Sequence, residues 1–196
     1  IIKSLFREYG IEVISSMNDG DEIAEGDVIL ELSGNARTIL TLERTALNLL
    51  MRMCGVATAT NRVAGKVREV NPKIRIAGTR KTMPALKRFD KLAIAIGGGD
   101  THRYSLDDMV MIKDNHIKMA GGIAKAVEQV RSKIDPSIRI EVETTNLDEV
   151  RQAIEAGADI IMLDNMNTET MTEAVGIIKA ADKGIKTEAS GNMNIP

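Results

Sequence analysis

The 196-residue sequence has no tryptophan, two tyrosines, two phenylalanines and a single cysteine. Its aromatics, Phe6, Tyr9, Phe89 and Tyr104, give no platform for stacking bases, so no nucleic-acid partner is expected. One cysteine excludes an internal disulfide. Cys54, inside Leu49-Leu50-Met51-Arg52-Met53-Cys54, reads as a small core residue of a helix rather than a nucleophile, and a reducing cytoplasm is the expected compartment. No apolar run approaches the ~20 residues of a membrane span, and Ile1 opens no recognisable signal peptide, so no membrane partner is expected. An excess of charge of one sign is lacking too: 26 Lys plus Arg face 28 Asp plus Glu, for a net charge of -2 with 43% hydrophobic residues, as in ordinary globular chains. The two histidines, His102 and His116, have no second soft ligand at zinc spacing, which disfavours zinc.

The texture of what is present changes near residue 72. From Ile11 to Leu32 apolar and polar residues alternate around Asn18-Asp19-Gly20-Asp21 and Glu25-Gly26-Asp27, which predicts short hairpin strands. Two helices should follow, one from Thr41 as N-cap to Gly55, the other from Ala57 to Val70, ending before Asn71-Pro72. Residues 1–72 thus read as part of an α+β amino-terminal domain with connecting helices. From Lys73 onward short apolar strands alternate with helices: Ile74 to Ala77, Met109 to Ile112, Ile138 to Val142, Ile160 to Leu163 and Ile185 to Glu188. That repetition implies a parallel sheet, either a closing barrel or an open doubly wound sheet. Thr82 with Pro84, Asn146 with Glu149 and Thr168 mark helix starts, while Gly157 and Gly184 mark helix ends. Gly97-Gly98-Gly99 ends a helix instead of opening one, so the dinucleotide fingerprint is missing. Met51, Met53, Met109, Met111 and Met162 read as core filling.

Each expected strand delivers polar groups at its carboxyl end. Arg80 and Lys81 follow the first, Lys113 the second; Glu143 ends the third, Asp164 and Asn165 follow the fourth, and Ser190 and Gly191 follow the fifth. In a βα barrel these ends share the face that holds the active site. The cations Arg80, Lys81, Arg103 and Lys113, with His102, suit a polyanion, since arginine forks match carboxylates and phosphates and lysine acts as a point charge. Glu143 and Asp164 suit Mg²⁺, held in part through water, or sugar hydroxyls. Ser190 has no neighbouring histidine and lacks a nucleophile elbow, so a serine before glycine at a strand end reads as a phosphate contact.

These residues resemble the quinolinate phosphoribosyltransferases. The resemblance runs through Leu42-Glu43-Arg44-Thr45-Ala46-Leu47-Asn48, Gly78-Thr79-Arg80-Lys81-Thr82, His102-Arg103, Ile112-Lys113-Asp114-Asn115-His116, Glu141-Val142-Glu143, Leu163-Asp164-Asn165 and Glu188-Ala189-Ser190-Gly191. It implies an α/β fold: a partial, TIM-like βα barrel over residues 73–196, incomplete at the C-terminus, preceded by part of the amino-terminal domain. It also implies phosphoribosyl transfer from phosphoribosyl pyrophosphate to quinolinate with decarboxylation, in a homodimer or higher oligomer. By the same resemblance Arg80, His102 and Arg103 bind the two carboxylates of quinolinate, and Lys81 and Lys113 lie around quinolinate and the phosphates. Glu143 and Asp164 serve ribose and Mg²⁺, Ser190 and Gly191 contact substrate, and Arg44 reaches the neighbouring subunit's site. Lys113, between possible orienting groups, is the lysine expected to stabilise the carbanion of decarboxylation; Asn115 and His116 are secondary. A paralogue associated with molybdenum transport and a non-catalytic anion-binding protein are the alternatives. Type I phosphoribosyltransferases are excluded because Asn167-Thr168-Glu169-Thr170 has no glycine, and a lipoyl-type carrier because no lysine lies between Lys3 and Lys66.

Overall fold

Asn35 sets the first long element. Its side chain accepts the Thr38 N–H at 3.2 Å and starts a single helix, α2, that runs without a break over Ala36–Val70. The expected pair of helices divided at Gly55 is therefore corrected. The Thr41 hydroxyl caps nothing and instead donates to the Arg37 carbonyl at 2.8 Å, as mid-helix threonines do. Gly55 costs about 1 kcal/mol relative to alanine, too little to interrupt a helix fixed by its neighbours on both sides. The helix stops at Asn71, as expected ahead of Pro72.

This computed structural model describes residues 1–193; the last three positions of the expected barrel domain lie outside the described residues. The described chain divides into two compact units, one ending at Tyr104 and one beginning at Ser105. In the first, α1 (Ile2–Glu8) precedes an antiparallel pair, β1 (Glu12–Ser16) and β2 (Leu30–Ser33), in which Glu12 pairs Ser33 and Ser16 pairs Leu30. Asp21 and Asp27 close the intervening turns by accepting the Asn18 and Ala24 N–H groups, each at 2.7 Å. Phe6, Ile11 and Ala46 form a small core here, with Leu30, Leu32 and Leu42 packed on it.

α3 (Lys87–Ile96) begins later than Thr82 and Pro84 suggest, because Ala85 takes a left-handed conformation (φ 64°) that helical backbone excludes. Its end is Gly97, where a Cβ would come within 2.3 Å of the Ala57 carbonyl oxygen; only glycine lets α2 pass this closely. The expected strand Ile74 to Ala77 is also corrected to one parallel bridge, Ala77 with Asp100, since the glycine run offers it a single residue to pair with. Met51 is 58% exposed, so it is not core filling, whereas Met109 and Met162 are buried as expected.

The second unit is a four-stranded sheet of β3 (Val110–Ile112), β4 (Ile140–Thr144), β5 (Ile160–Asp164) and β6 (Lys186–Ser190), all parallel and in chain order. The helices α4 (Asp114–Ala120), α5 (Ile123–Arg131), α6 (Leu147–Ala156) and α7 (Thr168–Ala180) connect them. A doubly wound sheet reverses its strand order; this one does not, so it is an arc of a βα barrel. Alternation along the strands sends Ile112, Ile140, Val142, Ile161 and Leu163 to one face, where they are buried against Val127 of α5, Val150 and Ile154 of α6 and Ile178 of α7. The residues out of phase with these, Glu141, Glu143, Met162, Asp164, Glu188 and Ser190, occupy the other face. Asn146 caps α6 by accepting the Glu149 N–H at 2.9 Å, while Glu149 reaches the Thr145 N–H at 2.7 Å, one residue earlier than a capping box. Asn167 caps α7, which opens at Thr168 as expected. Gly157 closes α6 in the left-handed conformation; α7 closes at Ala181 instead of Gly184, which lies in the turn before β6. No helix among the described residues is long and apolar enough to cross a membrane.

Candidate active site

In the first unit the bridge between Ala77 and Asp100 starts two basic segments side by side: Thr79-Arg80-Lys81-Thr82 follows one partner, His102-Arg103 the other. Arg80 and Lys81 are exposed, His102 and Arg103 half-buried. Beneath them α3 presents two charges from its buried stripe. Lys91, 2% exposed, donates through Nζ to the Gly78 carbonyl at 2.6 Å, to the Thr101 carbonyl and to the Arg103 carbonyl at 3.2 Å. Asp90, 4% exposed, takes both forks of Arg52 from α2 at 2.8 Å and accepts the Met83 N–H at 3.0 Å. Consecutive residues of one helix thus hold the two ends of the segment that carries Arg80 and Lys81.

The Arg52 guanidinium first, then the Met83 N–H, hold the Asp90 carboxyl below its ordinary value of 3.8 against the opposing effect of burial. A depressed carboxyl contributes stability that is complete above its unfolded pKa and is lost as the pH falls through the folded one. Asp90→Asn is therefore expected to cost about 2 kcal/mol at neutral pH, below the usual buried-pair loss because Arg52 regains water, and to flatten the fall in melting temperature below about pH 4. Thermal melts of both proteins between pH 3 and 7 check it; parallel curves would remove Asp90 from the acid response.

Arg44 lies exposed on α2 between Leu40, Leu47 and Met51, at helical spacing. All three apolar neighbours are exposed as well, so the arginine sits within an apolar stripe.

In the second unit Lys113 pairs with Glu143 at 2.5 Å from the ends of neighbouring strands. The Lys113 N–H donates to Nδ1 of His116 at 3.0 Å, which fixes the first turn of α4 and the direction in which Lys113 leaves it. Asn115 is exposed beside it, and its backbone N–H is the main group holding the Asp114 carboxyl below its ordinary value. Asp164 accepts the Asn165 amide at 2.8 Å, and the Asn165 backbone N–H donates to the Ser190 carbonyl at 2.9 Å. Gly191, at φ 84°, leaves room for Asn165, whose Oδ1 would stand 2.3 Å from a Cβ there. Lys113, Glu143, Asp164, Asn165, Ser190 and Gly191 thus line the carboxyl-terminal rim of the polar face. Glu143 and Asp164 supply only carboxylate oxygens, the hard donors that Mg²⁺ takes, although Lys113 already occupies one Glu143 oxygen.

Sequence reasoning missed Arg52, Asp90, Lys91 and Glu141. Glu141 is fully buried on the polar face, and one of its carboxylate oxygens lies within 4.8 Å of one from Glu188. For Asp90 a signal existed: with Ala93 and Gly97 it recurs at helical spacing on a buried stripe.

Family profiles match both parts of the chain: the quinolinate phosphoribosyl transferase N-terminal domain over residues 1–54 and the C-terminal domain over residues 56–195. The probable nicotinate-nucleotide pyrophosphorylase [carboxylating] of Methanocaldococcus jannaschii is 52% identical over 177 residues, 90% of this chain and 62% of that protein. The human nicotinate-nucleotide pyrophosphorylase [carboxylating] is 35% identical over 192 residues, covering 98% of this chain and 65% of that one. The crystal structure of NadC from Streptococcus pyogenes superposes with a TM-score of 0.88 at 36% identity, over 98% of this chain and 67% of that one. The chain therefore spans a little under two thirds of the length of these two sequence relatives. With the two domain profiles matching residues 1–54 and 56–195 and the fold shared with a solved relative, the chain belongs to the quinolinate phosphoribosyl transferase family.

Proposed function

We propose that the full-length protein transfers a phosphoribosyl group from phosphoribosyl pyrophosphate to the ring nitrogen of quinolinate and releases pyrophosphate, CO₂ and nicotinate mononucleotide. The observation that carries this reading is the kind of charge that each unit presents. Basic segments anchored by buried Lys91 and Asp90 suit a dicarboxylate, and the strand-end rim of Lys113, Glu143 and Asp164 suits a phosphorylated sugar. Relatives named as carboxylating pyrophosphorylases favour it over the molybdenum-associated paralogue and over a non-catalytic anion-binding role.

Departure of pyrophosphate leaves a ribose with oxocarbenium character, which the carboxylates of Glu143 and Asp164 stabilise. Glu143 and Asp164 would hold Mg²⁺, which would supply positive charge against the leaving pyrophosphate. The ring nitrogen forms its bond to the anomeric carbon as the bond to pyrophosphate breaks. Cleavage of the adjacent carbon–carboxylate bond then leaves an electron pair on the ring, beside a cationic nitrogen, until a proton is taken up. Lys113 stabilises that negative charge. Arg80, His102 and Arg103 hold the two carboxylates, Lys81 lies between quinolinate and the phosphates, and Ser190 with the Gly191 amide contacts phosphate.

The functional unit of the proposal is a homodimer in the cytoplasm. The exposed stripe of Leu40, Leu47 and Met51 supports it, because that face of α2 offers a second copy apolar surface to cover and carries Arg44 within it. The test is product formation by the full-length protein from quinolinate, phosphoribosyl pyrophosphate and Mg²⁺, followed by chromatography, with nicotinate as control acceptor and chelator as control for metal. Nicotinate mononucleotide is expected from quinolinate alone and is lost with chelator. Turnover with nicotinate but not quinolinate would defeat the reading.

A further inference from the structure

We propose that Lys91 is a positioning residue that sets the carboxylate-binding geometry of the two basic segments. The inference rests on the proposed function, because it concerns the residues that reading assigns to quinolinate.

A lysine this deeply buried needs partners for its charge, and those it has are informative. Its Nζ meets three carbonyls, of Gly78, Thr101 and Arg103. Gly78 is the residue ahead of Thr79-Arg80-Lys81, and Thr101 and Arg103 flank His102 on both sides. None of the three belongs to a helix; all are backbone of the segments that carry the cations. An ammonium has three donors, so one charge fixes both segments to each other and to α3. His102 sits in the left-handed region at φ 50°, a conformation a side-chain-bearing residue keeps only where its surroundings impose it. Lys91 binds the Thr101 and Arg103 carbonyls on either side of that residue and so helps to hold it. The neighbouring Asp90 holds the Met83 N–H at the far end of the first segment, leaving Arg80 and Lys81 on a span tied down at both ends. Orientation of a bidentate clamp is the property that such anchoring controls, and small displacements of a clamp weaken its ligand steeply.

The consequence is weighted toward the dicarboxylate: Arg80, His102 and Arg103 all ride on the anchored segments, whereas Lys81 is the one cation there that also faces the phosphates. Lys91→Met keeps the apolar stem and removes the donors. In the full-length protein, steady-state kinetics are expected to give a KM for quinolinate raised about tenfold or more, with the KM for phosphoribosyl pyrophosphate within about twofold of wild type. Lys91→Arg returns charge and donors in a wider head that cannot meet all three carbonyls at the same reach, and is expected to raise the quinolinate KM by a smaller factor, about fivefold, with the phosphoribosyl pyrophosphate KM again within about twofold of wild type. If Lys91→Met does not fold, Lys91→Arg decides by the same split. Both constants rising together, an unchanged quinolinate KM, or loss of fold in both variants would each overturn the proposal. Wild-type protein run alongside separates the two levels: no product from quinolinate sinks the functional reading itself, whereas turnover by wild type with unsplit constants in the variants sinks Lys91 alone.

Discussion

Lys113→Ala is expected to lower the turnover number of the full-length enzyme at least a hundredfold, roughly the loss seen when a preorganised electrostatic group is removed from a reacting centre. Stability should hardly move. The Lys113–Glu143 pair has a half-exposed lysine, and such pairs contribute ~1 kcal/mol or less. A melting temperature close to wild type beside a collapsed turnover number thus separates chemistry from folding. The geometry gives the reason for so large an effect. His116 Nδ1 fixes the backbone from which the side chain departs, and Glu143 fixes its far end, so the ammonium is held in place before substrate arrives. Its removal also leaves Glu143 without its cation, next to a phosphorylated substrate of the same charge. A turnover number unchanged in Lys113→Ala would remove the residue from the reaction.

The second large effect is a restoration. Arg44→Ala and Lys113→Ala are each expected to be nearly inactive, because each removes a cation assigned to substrate. Mixed and allowed to exchange subunits, the two variants are expected to regain about a quarter of wild-type activity, because in the proposed homodimer half the dimers would be hybrids and each hybrid would have one intact site. The intact site combines Lys113 of the Arg44→Ala subunit with Arg44 of its partner. An arginine acting within its own subunit gives no restoration, since every site would then lack one group. Activity before and after mixing, with a tagged copy to verify exchange, distinguishes the two arrangements.

The second unit was legible because burial on the helix-facing side of its sheet follows residue type, whereas Glu141, buried on the other face, breaks that rule and was missed. Val142, Ile161 and Leu163 are apolar and buried, and the polar residues at their strand ends fall on the rim that the barrel rule assigns to function. The first unit was less so, for reasons that differ between elements. Thr41 and Gly55 carry local signals for a start and a stop, but neither outweighs neighbours that favour helix on both sides. The left-handed Ala85, which delays α3, has no signature in residue type. Ile74 to Ala77 has strand composition without a strand to pair with. Lys91 and Asp90 are invisible to any reading that treats charge as surface; helical spacing with Ala93 and Gly97 puts Asp90 on a buried stripe, but Lys91 has no such signal. The candidate cations and carboxylates could be named from sequence, whereas the groups that anchor them could not.

The unbroken course of α2 has a mechanical side. A helix of 35 residues is a rod about 52 Å long, and about 20 Å of it separates Arg44 from the point where Ala57 meets Gly97. With no joint at Gly55, that length behaves as a lever whose fulcrum is the Gly97 contact. A tilt of about 3° at the fulcrum displaces Arg44 by about 1 Å, a shift large enough to change a rate severalfold or more. On the proposed role of Arg44, packing at Gly97, a residue with no side chain and no charge, would thereby help to set how far that arginine reaches.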